Sequence, residues 1–105
     1  MPNTDLIEIG NRISKRRKHL GLTQEALAEK MNVSVQMISN LERGNKAIKI
    51  ENLIKISDIL NVSTDYILKG EIIDKDMKSF AESFSRLSDK DYKMIELLIN
   101  YCLDK

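Results

Sequence analysis

The stretch Gly21-Leu22-Thr23-Gln24-Glu25-Ala26-Leu27-Ala28-Glu29-Lys30-Met31-Asn32-Val33-Ser34-Val35-Gln36-Met37-Ile38-Ser39-Asn40-Leu41-Glu42-Arg43-Gly44 decides the fold. Thr23 stands where an N-cap belongs, its side-chain oxygen ready to accept from a first-turn N–H, and Glu25 suits the positive helix start. Leu27 and Met31 lie four apart, on one face of a helix of about two turns. Asn32 interrupts it, and Asn tolerates the left-handed conformation of a tight turn. Ser34 is a fresh N-cap, and a third helix runs from Val35 to about Arg43, with Ile38 and Leu41 inward and Gly44 as the stop. Two short helices around a tight turn, over residues 24–43, make a helix-turn-helix. Ala28 is small where the second helix comes close. Leu27, Met31, Val33, Ile38 and Leu41 supply a shared core, and Asn32 takes the turn. These seven positions together are far more specific than any one alone.

The pattern extends outward. Upstream, Leu6, Ile9, Ile13 and Leu20 space a helix over 5–20, which Gly21 ends. Downstream, residues 45–49 form a polar loop. Leu53, Ile56 and Leu60 stripe a helix over 51–60. Ser63 caps a short helix that Gly70 ends. Residues 71–75 are a connector. Met77, Phe80, Ala81, Phe84 and Leu87 space another helix, and Ser88 with Asp91 resembles a capping box. The last helix carries Tyr92, Met94, Ile95, Leu97, Leu98, Ile99, Tyr101, Cys102 and Leu103, apolar over most of its circumference. Glycine and proline are scarce, no repeat stands out, and the chain is all-α.

The segments "RISKRRKHLGLTQEALAEKMNVSVQMISNLERG" and "IENLIKISDILNVSTDYILKG" resemble lambda-repressor-like, or XRE-type, DNA-binding domains. The carrying residues are Gly21 to Gln24, Leu27-Ala28, and Leu41 to Gly44. Asn32 stands where a glycine is common. Arg16 stands where an apolar residue is common, so its stem is expected to snorkel to solvent. The resemblance covers about residues 6–70 and implies a five-helix domain, placed at 1–70, that binds DNA as a dimer. The C-terminal helical pair over 71–105 lies outside it; its last helix carries too much apolar surface for one neighbour, so this extension is expected to serve dimerisation.

A recognition helix over about 35–43 fits the major groove. With Ile38 and Leu41 inward, Val35, Gln36, Ser39 and Asn40 project outward as candidate base contacts. Gln and Asn suit adenine, and Val suits a thymine methyl, so an A·T-leaning site is expected. Thr23, Gln24, Ser34, Arg43, Asn45 and Lys46 are the candidate phosphate contacts. The basic run from Arg12 to Lys18 points in several directions and reads as a solvated face. Within it, Arg17 matches the family arginine that forms a structural ion pair with Glu42. His19 reads as a surface residue near the helix end. The dimer interface is expected at Leu98, Tyr101 and Cys102, with Phe80 and Phe84 packing beneath. Met31, Met37, Met77 and Met94 read as core or interface filler.

Composition bounds the function. The chain has 105 residues, one histidine and one cysteine. That excludes a disulfide framework within the chain and a cysteine-based zinc site, and no metal or cofactor is expected. No nucleophile elbow or phosphate loop is present, so no enzyme is expected and no small-molecule substrate is evident. No apolar run approaches the ~18 residues of a membrane span, and no secretory signal opens the chain. A cytoplasmic protein is the expectation.

The net charge of +1 conceals a polarity. Residues 1–50 hold 9 Lys/Arg and 5 Asp/Glu, a balance of +4, whereas residues 51–105 hold 8 and 11, a balance of −3. The basic half contains the helix-turn-helix. The expected function is sequence-specific binding of double-stranded DNA by a homodimeric transcriptional repressor at a palindromic operator. The alternative is an antitoxin of a toxin-antitoxin pair, or a restriction-modification controller protein, that also autoregulates its promoter. A regulatory protein is a further expected partner.

Overall fold

The computed structural model describes residues 3–104, with side chains from residue 5 onward. Seven helices follow one another: α1 (Asn3–His19), α2 (Gln24–Met31), α3 (Val35–Glu42), α4 (Ile50–Leu60), α5 (Thr64–Lys69), α6 (Asp74–Phe84) and α7 (Asp89–Leu103). No strand occurs among the described residues. The core draws Ile13 from α1, Leu27, Ala28 and Met31 from α2, and Ile38 from α3. Leu53, Ile56 and Leu60 of α4, Val62, and Ile67 of α5 complete it.

The chain turns between helices by one device used twice. Asn32 and Asn61 both adopt the left-handed conformation, with φ of 57° and 54°. After each comes a valine, then a serine. Val33 N–H donates to Ala28 O and Asn32 N–H to Glu29 O, while Val62 and Asn61 repeat this with Ser57 and Asp58. Each pair is a Schellman motif, which satisfies the last carbonyls of a helix. Ser34 and Ser63 then cap the next helix by accepting from the N–H of Met37 and Tyr66. The Asn-Val-Ser triplet is therefore a short structural repeat, although no repeat of greater length stands out in the sequence. It makes a short turn because the stop residue and the start residue stand only two positions apart, with one valine between them.

Glycine is required at Gly10. A Cβ there would stand 2.4 Å from Leu41 O and 2.5 Å from Glu42 O, so α1 crosses the end of α3 backbone to backbone. That crossing fixes α3 against the body of the domain.

The basic run of α1 is mostly tied down rather than solvated. Arg12 donates through Nε to Ile67 O at 2.9 Å and through Nη2 to Leu68 O at 3.1 Å. Arg16 donates through Nε to Leu60 O at 2.9 Å. Both arginines satisfy carbonyls at helix C-termini, where a cation is favoured. Lys15 and Lys18 do face solvent. The expected snorkelling of Arg16 is also corrected: its side chain is buried, with the guanidinium carbon 5.6 Å from the Phe80 ring centroid. Burial lowers its pKa from the ordinary arginine value. Its Nη1 is buried with no hydrogen-bond acceptor among the described residues, and the Phe80 ring face offsets part of that cost.

Helix α6 is held by Asp76, whose carboxylate is wholly buried. Oδ1 accepts from Ser63 N–H and Oδ2 from the Ser63 hydroxyl, each at 2.6 Å, and Oδ2 also accepts from Ile73 N–H at 3.0 Å. Burial alone would raise the Asp76 pKa, but these donors outweigh it and hold the carboxyl below its ordinary value. Phe80 adds an edge-on contact with Tyr66, centroids 5.4 Å apart. Phe84 is part-exposed, α6 ends there, and Leu87 lies half-buried beyond it. Ser88 caps α7 by accepting from Asp91 N–H at 3.2 Å. No described residue of α7 is buried, and Leu97, Leu98, Tyr101 and Leu103 are each more than 60% exposed.

Candidate nucleic-acid interface

Helix α3 is seated from behind and open in front. Ile38 and Leu41 are buried, while Val35 and Gln36 are exposed and Ser39 and Asn40 half-exposed. The four candidate base contacts therefore share the outer side of one short helix. Side chains on that side are placed precisely when the helix is held at its ends.

The N-terminal end is held by Ser34 Oγ, which accepts from Met37 N–H at 3.1 Å. The hydroxyl hydrogen stays available for a phosphate oxygen. The same holds for Thr23, whose Oγ1 accepts from Ala26 N–H at 3.0 Å at the start of α2.

The C-terminal end is held by an ion pair with two bonds. Arg17 Nε donates to Glu42 Oε2 at 2.7 Å, and Arg17 Nη2 donates to Glu42 Oε1 at 2.9 Å. Both side chains are buried. Arg17 Nη1 also donates to Leu22 O at 2.8 Å. Arg17 thus binds α1, the loop before α2 and the last turn of α3 into one unit. Gln24 joins this cluster, with Nε2 donating to Glu42 Oε1 at 3.0 Å. One end of its amide is turned inward, and the second Nε2 hydrogen and the backbone N–H at the helix start remain for a phosphate.

Arg43, Asn45 and Lys46 follow α3 on the exposed turn. Asn45 N–H donates to Asn40 O at 2.9 Å, which draws this turn back against the helix. Gly44 has φ of 76°, and a Cβ there would stand 2.7 Å from the Ile7 Cα, so only glycine lets the turn lie against α1. Gly10 lets α1 approach the end of α3, while Arg12 holds α5 and Asp76 holds α6; sequence spacing displays none of these three roles. Their partners lie far along the chain or are backbone atoms, which leave no local spacing to read.

Leu98, Tyr101 and Cys102 lie on α7, away from this surface in the chain and exposed to solvent, whereas Phe80 is engaged with Tyr66 and Arg16. Among the described residues, no His/Cys/Asp/Glu group is placed to hold a metal ion, and no helix is long and apolar enough to cross a membrane.

An exposed helix clamped across a short, capped turn defines the helix-turn-helix class. A helix-turn-helix family model matches residues 13–67. The HTH-type transcriptional regulator ImmR of Bacillus subtilis (strain 168) is 35% identical over 91 residues, covering 81% of this chain and 72% of that protein. The phage P22 c2 repressor, solved in complex with a synthetic operator, is 43% identical with a TM-score of 0.58, over 60% of this chain and 96% of that one. A chain of the SinR–SinI protein complex matches with a TM-score of 0.57 and 26% identity, over 92% of this chain and 99% of that one. The protein belongs to the lambda-repressor-like helix-turn-helix family of DNA-binding transcriptional regulators.

Proposed function

We propose that the chain is a repressor that binds a roughly palindromic operator as a homodimer. The observation that carries this reading is the presentation of Val35, Gln36, Ser39 and Asn40 on the open side of α3, over a buried Ile38–Leu41 back. Similarity to a repressor solved with operator DNA supports the same use of this helix. Thr23, Gln24, Ser34, Arg43, Asn45 and Lys46 flank it, where phosphate contacts fix register without reading sequence.

The C-terminal helices supply the second copy's contact. In one chain α7 leaves Leu98, Tyr101 and Cys102 on an exposed apolar surface, with Phe84 nearby in sequence and Phe80 anchoring α6. A two-fold pairing there would place two recognition helices about 34 Å apart, one turn of DNA. A regulatory protein could compete for the same surface, and the likeness to a chain from a two-protein complex supports that reading. The residue division is then 1–70 for DNA and 71–105 for pairing.

Selection of bound duplexes, combined with sedimentation of the free protein, tests the proposal. The expected result is a two-half-site motif and a dimer at tens of micromolar that is lost on deleting residues 71–105. A monomer bound to a single half-site would contradict it.

A further inference from the structure

Two side chains of α3 and the residue that follows it converge on one oxygen. Gln36 Nε2 donates to Asn40 Oδ1 at 3.3 Å, and Arg43 Nη2 donates to the same oxygen at 3.1 Å. The spacing, four residues and then three, aligns them on one face. An arginine guanidinium has five N–H donors and no acceptor. The Asn40 atom facing Arg43 must therefore be its carbonyl oxygen, so the orientation of this amide is set by its partner. That oxygen has two acceptor sites, and Gln36 and Arg43 take both. The Asn45 N–H bond to Asn40 O, at 2.9 Å, steadies the backbone between Asn40 and Arg43.

Reading adenine with two bonds requires an acceptor for its N6 amino group and a donor for N7. Asn40 has no acceptor left, only its two amide hydrogens. Guanine presents two acceptors, N7 and O6, side by side in the major groove. We infer that Asn40 reads guanine, with Arg43 as the positioning residue that fixes its amide. Gln36 keeps Oε1 and one amide hydrogen, the pair that adenine requires. The operator half-site thus combines an adenine step read by Gln36 with a guanine step read by Asn40, rather than an A·T-leaning core throughout. This rests on the proposed role of α3 as the recognition helix.

The test is selection of bound duplexes from a randomised pool by the full chain and by its N40A, R43M and R43K variants, each checked by circular dichroism. The wild-type pool should carry guanine at the step whose preference N40A erases. Replacing that G·C pair by A·T should weaken wild-type binding about tenfold or more. R43M should move that step toward adenine, because the freed oxygen can accept, and R43K should keep guanine, because an ammonium also only donates. Another base at the step, no step erased by N40A, or an R43M pool with guanine undiminished would overturn the inference. The last result is what a pure phosphate contact gives, with affinity reduced equally for all duplexes. A wild-type pool with no enriched sequence would instead overturn the proposed function, and this inference with it.

Discussion

Arg17 and Glu42 are joined by two hydrogen bonds of 2.7 and 2.9 Å, with both side chains buried where α1 meets the end of α3. The pair holds α3 to the body of the domain. Removing one member strands the other charge in a site built for two, a loss of about 3–5 kcal/mol. Urea unfolding of R17M and E42A should each show a loss of this size. The double variant should lose clearly less than the sum, because neither charge is then stranded. A loss below about 1 kcal/mol for E42A, the value for an exposed pair, would contradict the clamp.

The two left-handed asparagines make matched test sites. Glycine reaches that conformation without steric cost, whereas alanine meets about 1–2 kcal/mol of strain. N32G and N61G should therefore stay within about 1 kcal/mol of the wild type, while N32A and N61A should be less stable than their glycine counterparts by about 1 kcal/mol or more. Chemical denaturation of the four variants measures this. Equal stability of alanine and glycine at both sites would count against the shared turn.

Asp76 couples the docking of α6 to pH. Its folded pKa lies below the unfolded value of about 3.9, so its stabilisation is complete above that value and is lost as pH falls through the folded pKa. D76N replaces a carboxylate that accepts three bonds with an amide that has one acceptor oxygen. At pH 7 the variant should be less stable by about 3 kcal/mol. Melting curves from pH 7 to 2 should converge at the acid end, as the wild type loses what the variant never had. Parallel curves across that range would show that the carboxylate does not hold α6.

The legible parts of this structure are the local ones. Thr23, Ser34, Ser63 and Ser88 each cap a helix by accepting from an N–H three residues on, so sequence spacing alone displays them. Asn32 was readable for the same reason, and the buried back of α3 followed from the spacing of Ile38 and Leu41. Helix ends moved only slightly: α1 begins at Asn3 rather than Asp5, and α6 begins inside the expected connector. The roles of Arg12 and Arg16 do not show in the sequence, because their acceptors are main-chain carbonyls 55 and 44 positions away. A carbonyl has no residue type, so no pairing rule can find it. The need for Gly10 is equally invisible in spacing, since what it avoids is a clash with backbone. At the candidate site, spacing showed which residues of α3 face outward. It could not show that Asn40 Oδ1 is already engaged, because that depends on where Arg43 comes to rest after the helix ends.

In the proposed function, α3 reads sequence while the clamps behind it carry the fold. The most direct measurement compares affinity for the selected duplex with affinity for a scrambled one at physiological salt. It uses the wild type and a V35A/Q36A/S39A/N40A variant with an unchanged melting temperature. The wild type should show a ratio of about 10³ or more. In the variant the ratio should fall toward one, with the scrambled-duplex affinity and its salt dependence kept, because the phosphate contacts remain. A variant that keeps the full ratio, or a wild type whose ratio is near one, would contradict it.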